Sequence, residues 1–530
     1  MKDFNEQIQL PDAAAGDPRA LALAALDIML ASRPAELRRV IEAAALPHWF
    51  DEAILTDLLD DDLRAESTRW FQAVSALPAV ERFPARSGFN VYEPTRLALR
   101  LRLLHEAPDR LRELSTRAAA AFSDEAPHTA IERIYHCLVA EPESAGWTLR
   151  TFAEQCQGRS EDVQVLMDVL EEYHEDEAWP LTVRAWACLL AAEQTNSGRS
   201  QAQRLAAANR AFQLFVNAGD EWATSQVLLV LGDLAAASGN SNQAQQHFAA
   251  ALEIAQRLAT SDPGNASRQR DLSIAYDRLG DVAVAQGQLA TAQQHFTQGL
   301  TIRERLAASD PDNAGWQRDL SISCDRVADV AEAQGELATA QQHFTQGLTI
   351  RERLAASDPD NVKWQRDLSI SHNERGNFAM AEGQLATARH HFIQALEIAE
   401  WLTASDPGNA GWQRDLEIYH DNLGKVALAR GHLATARHHF TMGLQIAERL
   451  AASDPGNAGW QRDLWVSYWR TANSLESSGE GVAIEYWQKA HAILADLKQR
   501  GLHLSPNDEH SLEWLQEKLT RRTLGEDPAE

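Results

Sequence analysis

The sequence predicts an all-α chain of stacked helical hairpins, preceded by a small three-helix module that carries a β-hairpin. Three observations predict it: one segment recurs every 48 residues, each copy reads as two helices, and helix-favouring Ala, Leu, Gln, Glu and Arg are abundant. The repeat is marked by Asp-Pro pairs at Asp262, Asp310, Asp358, Asp406 and Asp454. They lie in phrases such as RLAASDPDNAGWQRDLSIS from Arg305 and RLAASDPGNAGWQRDLWVS from Arg449.

Each unit divides into one proline-free pattern, as from Asn313 to Gln334, and a second, as from Leu337 to Ala356. Leu272, Tyr276, Leu279 and Ala283 share one face of the first helix, and Ala292, Phe296 and Gly299 mark the facing stripe of the second. Gly287, Gly335, Gly383, Gly431 and Gly479 fall where the first helix must stop, and glycine tolerates the left-handed cap conformation. The Asp-Pro element re-aims the chain into the next unit, and either its Asp or the Asn that follows can cap the exposed amide groups. Trp316, Trp364, Trp412 and Trp460 precede Gln-Arg-Asp-Leu at the start of each first helix. The Trp reads as packing between hairpins; the Arg and Asp read as groups that satisfy loop atoms or pair across units.

Leu279-Gly280, Gly287, Ala292, Phe296 and Gly299 stand in the order of the tetratricopeptide signature. Leu231-Gly232 with Ala244 and Phe248, Gly376 with Ala388 and Phe392, and Leu423-Gly424 with Ala436 and Phe440 repeat it, whereas Val327-Ala328 departs at the glycine. The chain therefore resembles the tetratricopeptide-repeat proteins, in a long bacterial form whose 48-residue unit exceeds the usual period of about 34. The resemblance covers roughly residues 181–500, ending in a degenerate cap with Trp465, Trp469, Tyr486 and Trp487. It implies a right-handed superhelical solenoid whose first helices line an inner groove suited to a peptide or partner helix.

On the first helices, Asp277, Asp281 and Val284 share a stripe by their spacing. Their equivalents are Asp325, Asp329 and Glu332, then Asn373, Asn377 and Met380, then Asp421, Lys425 and Leu428. These positions vary while the scaffold repeats, and acids dominate them. The expected ligand is a protein or peptide segment that is basic, or mixed basic and apolar; the plainer reading is a solvated acidic face. Family members that read chaperone tails clamp a terminal carboxylate with lysine and asparagine, and the acids here argue against that role.

Ahead of the repeats, Glu36 to Leu46, Asp51 to Leu59 and Leu63 to Leu77 read as three helices, followed by VERFPARSGFNVYE with hairpin character around Ser87-Gly88. Three helices and a wing suggest a winged-helix module. ALPHWFDEAILTDLL, VERF, NVYEPTRLALRLRLL and IERIYHCLVAEPESAG resemble the segment downstream of the ATPase in bacterial NACHT/STAND signalling proteins, over about residues 37–145. That resemblance implies a regulatory module without the ATPase switch. The expected organisation is a lead helix over 1–35, a winged-helix-like module over 36–93, a helical linker over 94–180, the repeat array over 181–500, and a C-terminal helix and tail over 501–530.

Composition narrows the function. Forty-nine basic against 76 acidic residues give a net charge of -27, which repels phosphate backbones and anionic membranes. Cys137, Cys156, Cys188 and Cys324 have no zinc-knuckle or redox spacing, so a reduced cytoplasm is expected. The start, MKDFNEQIQLPD, does not resemble a secretory signal, and no apolar run spans a bilayer. No phosphate-binding loop ending in Lys-Ser or Lys-Thr occurs.

The expectation is a non-enzymatic scaffold or sensor without a cofactor, acting on a separate effector such as a caspase-like protease or an NTPase. Its place in bacterial stress or defence signalling rests on resemblance alone. One alternative is a DNA-binding regulator using Arg64, Arg69, Arg82 and Arg86, opposed by Asp57, Asp60, Asp61 and Asp62. A second is a hydrolytic component, for which no nucleophile motif speaks. The histidines at His247, His295, His343, His391 and His439, doubled at His390 and His438, read as repeat packing rather than metal ligands. Arg375, where sister units have Leu279, Val327 and Leu423, makes one unit locally inconsistent; the plain expectation is that its head reaches solvent.

Overall fold

The computed structural model describes residues 18–31, 33–123, 126–141, 144, 165–166, 168–170, 173, 179–193, 199–476, 483–500 and 506–523. The expectations placed on Cys156 and Gly479 lie outside them. The chain divides into two compact units, Met1–Arg268 and Gln269–Glu530. Among the described residues, no helix is long and apolar enough to cross a membrane.

The first unit opens with α1 (Pro18–Leu30), α2 (Ala35–Ala44), α3 (Glu52–Leu58), α4 (Asp61–Arg64) and α5 (Ser67–Ser75). The third expected helix is thus two: Glu66 leaves the helical region, and Arg64 turns back to donate to the carbonyls of Leu59 and Asp57, capping the preceding helix. Strands β1 (Val80–Phe83) and β2 (Gly88–Val91) form an antiparallel pair. The turn of this hairpin is Pro84–Ser87, with Ser87 at φ 53°, and Gly88 already belongs to β2. Gly88 answers a different need. Phe50 and Phe89 exchange backbone hydrogen bonds of 2.8 Å, and a Cβ on Gly88 would sit 2.6 Å from the Phe50 carbonyl oxygen.

Helices α6 (Glu93–Glu106), α7 (Pro108–Ala121) and α8 (Pro127–Ala140) follow. Arg100 on α6 is fully buried; it donates to the Leu46 carbonyl at 2.9 Å and the Tyr173 hydroxyl at 2.6 Å, beneath the Tyr135 ring. Asp60 gathers Arg39, Arg110 and Arg117 from α2 and α7. Burial works to raise its pKa, but the hydrogen bonds from these arginines outweigh it and hold the carboxyl down at about 2. The unit ends in two helical hairpins, α9 (Leu181–Glu193) with α10 (Gln201–Ala218) and α11 (Glu221–Ala237) with α12 (Ser241–Ser261).

The second unit is five successive hairpins. They are α13 (Ala266–Ala285) with α14 (Leu289–Ser309), α15 (Ala314–Ala333) with α16 (Leu337–Ser357), and α17 (Val362–Ala381) with α18 (Leu385–Ser405). Then come α19 (Ala410–Ala429) with α20 (Leu433–Ser453), and α21 (Ala458–Glu476) with α22 (Ala483–Gln499); a last helix, α23 (Pro506–Thr523), packs on α22. The side chains of Asn313, Asn361 and Asn409 accept from the backbone N–H groups of Trp316, Trp364 and Trp412, so asparagine, two residues after the proline, is the N-cap. Within each of the first four hairpins a phenylalanine of the second helix, Phe296, Phe344, Phe392 or Phe440, packs against the first. At Gly280, Gly376 and Gly424 a Cβ would fall 2.3–2.5 Å from the ring of Phe296, Phe392 or Phe440. The reverse turn itself uses glycines with φ of 72–80° and open space around them, as at Gly335.

The Arg-Asp pair in each Gln-Arg-Asp-Leu joins neighbours. Arg270, Arg318, Arg366 and Arg414 each fork onto the aspartate of the next hairpin, Asp319, Asp367, Asp415 and Asp463. Arg462 continues the series onto Asp508 of α23 at 2.6 Å, so the last helix takes the place of a further first helix. The tryptophans beside these rungs are half-buried, whereas Trp465 and Trp487 of the fifth hairpin are buried in its core.

Arg375 on α17 does not reach freely into solvent as expected. Its guanidinium lies 5.6 Å from the Phe378 ring, and Nη1 is buried with no hydrogen-bond partner among the described residues. The cause is position: sister units fill this point of the hairpin seam with buried Leu279, Val327 and Leu423. Arg375→Leu removes an unsatisfied donor and restores the sister side chain, and is expected to raise stability by about 1 kcal/mol in urea unfolding. The rungs are checked by a double-mutant cycle on Arg318→Ala and Asp367→Ala, where partial exposure holds the expected coupling to about 1 kcal/mol.

Candidate functional site

Side chains cross from each first helix of the second unit to the next, along one wall. Arg326 reaches Asp277 at 3.8 Å and also pairs with Asp281; Asn422 donates to Asn373 at 2.8 Å; Arg470 pairs with Asp421. The stripe picked out by spacing lies along this wall, but its members differ in what they offer.

The first member of each triplet is turned inward. Asp277 is buried on Arg303 at 2.7 Å, and Asp325 on Arg351 at 2.5 Å; both arginines come from the second helix of the same hairpin and also donate to Ser323 or Ser371 of the next. Asn373 is half-buried against Asn422, and Asp421 is buried between Lys425, at 2.8 Å, and Arg470. The outer members face solvent more. Val284, Asp329, Asn377 and Leu428 are exposed, while Asp281, Glu332, Met380 and Lys425 are half-buried. Burial pushes the Asp281 carboxyl up, against the pull of Arg326.

One junction breaks the pattern. Position 278 and its equivalents read Arg278, Arg326, Glu374, Asn422 and Arg470. The residues meeting across successive junctions are therefore Asp277 with Arg326, Asp325 with Glu374, Asn373 with Asn422, and Asp421 with Arg470. Between the second and third hairpins a carboxylate thus faces a carboxylate. Arg351 is the shared cation, 2.5 Å from Asp325 and 4.0 Å from Glu374.

Burial raises both carboxyls, Glu374 further than Asp325; Asp325 and Asp329 push Glu374 up as well, and Asp367 adds to the rise at Asp325. Asp329 is exposed to solvent yet crowded by surrounding protein. That burial, then Asp325 and Glu332, pushes it up to about 6. Glu332 is raised by burial and by Glu382. Farther along, Glu417 accepts from Ser467 at 2.8 Å and is pushed by burial to about 7. Spacing alone missed Glu374, although its replacement of a sister arginine was a visible signal.

Three of the repeated histidines lie at the seam between the two helices of their hairpin. His295 is 6.1 Å from Tyr276, ring to ring, while His391 and His439 meet His372 and His420 with Nδ1 atoms 3.1 Å apart. Among the described residues no group of three or more His, Cys, Asp or Glu side chains is placed to hold a metal ion. In the first unit Arg64 and Arg69 are engaged with Asp61 and Glu66, while Arg82 and Arg86 are exposed on the β-hairpin.

No family model and no curated protein matches the sequence. Solved structures do resemble it. The signal transduction ATPase with numerous domains and a tetratricopeptide repeat sensor from Pyrococcus horikoshii aligns with 95% of this chain and 69% of its own, at 12% identity and a TM-score of 0.50. BtubC from P. vanneervenii aligns with 49% of this chain and 94% of its own, at 19% identity and a TM-score of 0.39. Aspartyl phosphate phosphatase F from Bacillus subtilis aligns with 77% and 93%, at 12% identity and a TM-score of 0.43. These are likenesses of fold. With its consecutive helix pairs and glycine–phenylalanine seams, the chain has the tetratricopeptide type of helical-repeat fold.

Proposed function

We propose that the protein is a binding scaffold whose wall of first helices holds a basic, or mixed basic and apolar, segment of a partner protein. The observation that carries this reading is the junction where Glu374 stands in the place of an arginine. At the junctions on Asp277 and Asp421 the scaffold supplies the wall carboxylate with a cation from the next hairpin. At Asp325 it supplies a second carboxylate instead, and exposed Asp329 beside them forms no ion pair among the described residues, Arg326 acting on it only from a distance. A lysine or arginine from a partner would fill that deficit, and Met380 and exposed Leu428 offer apolar contact farther along the wall.

The wider role extends this reading. The likeness of residues 37–145 to the module that follows the ATPase in signalling NTPases supports a chain that passes partner binding to a separate effector. A caspase-like protease or an NTPase fits, in bacterial stress or defence signalling in the cytoplasm. The net charge of -27 favours a protein partner over nucleic acid.

Glu374→Arg is the sharpest test, because Arg278, Arg326 and Arg470 show that the repeat accommodates arginine there. Fluorescence anisotropy with peptides that combine one or two arginines and a leucine should show affinity reduced at least tenfold in the variant, while its thermal stability rises. Parent affinity should also increase from pH 6 to pH 8, because the raised carboxyls at Asp329 and Glu374 must lose protons to meet a cation. Peptide binding that is indifferent to both the substitution and pH would sink this reading.

A further inference from the structure

The seam between the two helices of a hairpin is Tyr276 with His295 in the first repeat and His372 with His391 and His420 with His439 in the third and fourth. In the latter two, Nδ1 faces Nδ1 at 3.1 Å, with ring centroids 5.4 Å apart. Such a contact is a hydrogen bond only while one Nδ1 carries a proton and the other a lone pair. A first added proton can be held across the bond. A second removes the acceptor and leaves two cations in contact.

The surroundings oppose even the first. His390 and Arg375 act on the third pair; His438 and, from the preceding repeat, Arg389 act on the fourth; among the described residues the groups acting on these four rings are all basic. We propose that the third and fourth hairpins form an acid-sensitive segment of the array, which opens at its two histidine seams while the first and second hairpins stay closed. This inference stands on the seam geometry and is independent of what the wall binds.

Burial, then the neighbouring imidazoles and Arg375, lowers His372, His391 and His420 to about 4, and His439 is lowered by burial, His438 and Arg389. Groups whose folded pKa lies below the ordinary 6.5 contribute stability that is complete above 6.5 and is lost as pH falls toward about 4. The raised wall carboxyls work the other way, gaining stability as they are protonated, so they cannot imitate the effect. In the first repeat His295 has a tyrosine partner, whose bulk the seam tolerates.

Amide hydrogen exchange of the full chain, compared at pH 7.5 and pH 5 after correction for intrinsic rates, tests the proposal. Protection over residues 362–453 is expected to fall at least tenfold more than over 314–357. The double variant His372→Tyr, His420→Tyr, which copies Tyr276, should abolish that difference, and NMR should place the four parent imidazoles below the ordinary titration range. Equal loss in both segments, a variant as acid-sensitive as the parent, or imidazoles titrating near 6.5 would each overturn it. If the tyrosine variant is unstable at pH 7.5, His391→Gln with His439→Gln provides the same comparison with a side chain that cannot titrate.

Discussion

A pair of helices exposes apolar surface on the side away from its own partner helix, so each hairpin needs the next one to cover it. That requirement is non-directional. What gives it direction here is the forked contact from the arginine of one Gln-Arg-Asp-Leu to the aspartate of the following one, repeated from Arg270 to Asp463. Two parallel hydrogen bonds per rung fix both distance and rotation, which apolar packing alone leaves loose. Arg462 would face solvent at the end of the series, and Asp508 meets it. The final helix thus supplies the group that the first helix of each following hairpin brings elsewhere in the series.

Much of this was legible because a repeat states its own grammar. The 48-residue period located both helices, the glycine turn and the asparagine cap, and five copies separated scaffold residues from variable ones. Burial on the wall was harder to read, since Asp277 and Asp325 have the spacing of surface residues. Their burial depends on Arg303 and Arg351, which arrive from the other helix of the hairpin. A signal existed in the copies: the third repeat has Asn373 and Ala399 where the first two have the aspartate and its arginine, both charges having gone together. In the first unit no repetition was available. There the division between α4 and α5 and the task of Gly88 depend on Arg64 turning back and on the approach of Phe50, neither of which leaves a local pattern.

The wall shows how a copied scaffold acquires an individual surface. Its four successive junctions read carboxylate with arginine, carboxylate with carboxylate, amide with amide, and carboxylate with arginine. Replacing arginine by glutamate at residue 374 changes the local balance by two charges without touching the phenylalanine seam beneath it. Raised carboxyls are the physical cost of that change, because burial penalises each charge and Arg351 can satisfy only part of the group.

The departures from the repeat gather in the third hairpin: Glu374 on the wall, Arg375 in the seam, His372 facing His391, and Trp401, exposed where sister units have Arg305, Arg353 and Arg449. In a globular core these would compound, since each core residue touches many others. In a linear array each hairpin couples only to its neighbours, so regular hairpins on either side can hold an irregular one in place. A tightly copied sequence with its deviations gathered in the third hairpin, and a second histidine seam in the fourth, is therefore an arrangement that keeps recognition chemistry and local instability together while the first two hairpins remain regular. The same nearest-neighbour coupling limits how far the irregularity spreads. It reaches Asp325 through Arg351 and Glu374, and it leaves the pairing of Asp277 with Arg303 unchanged.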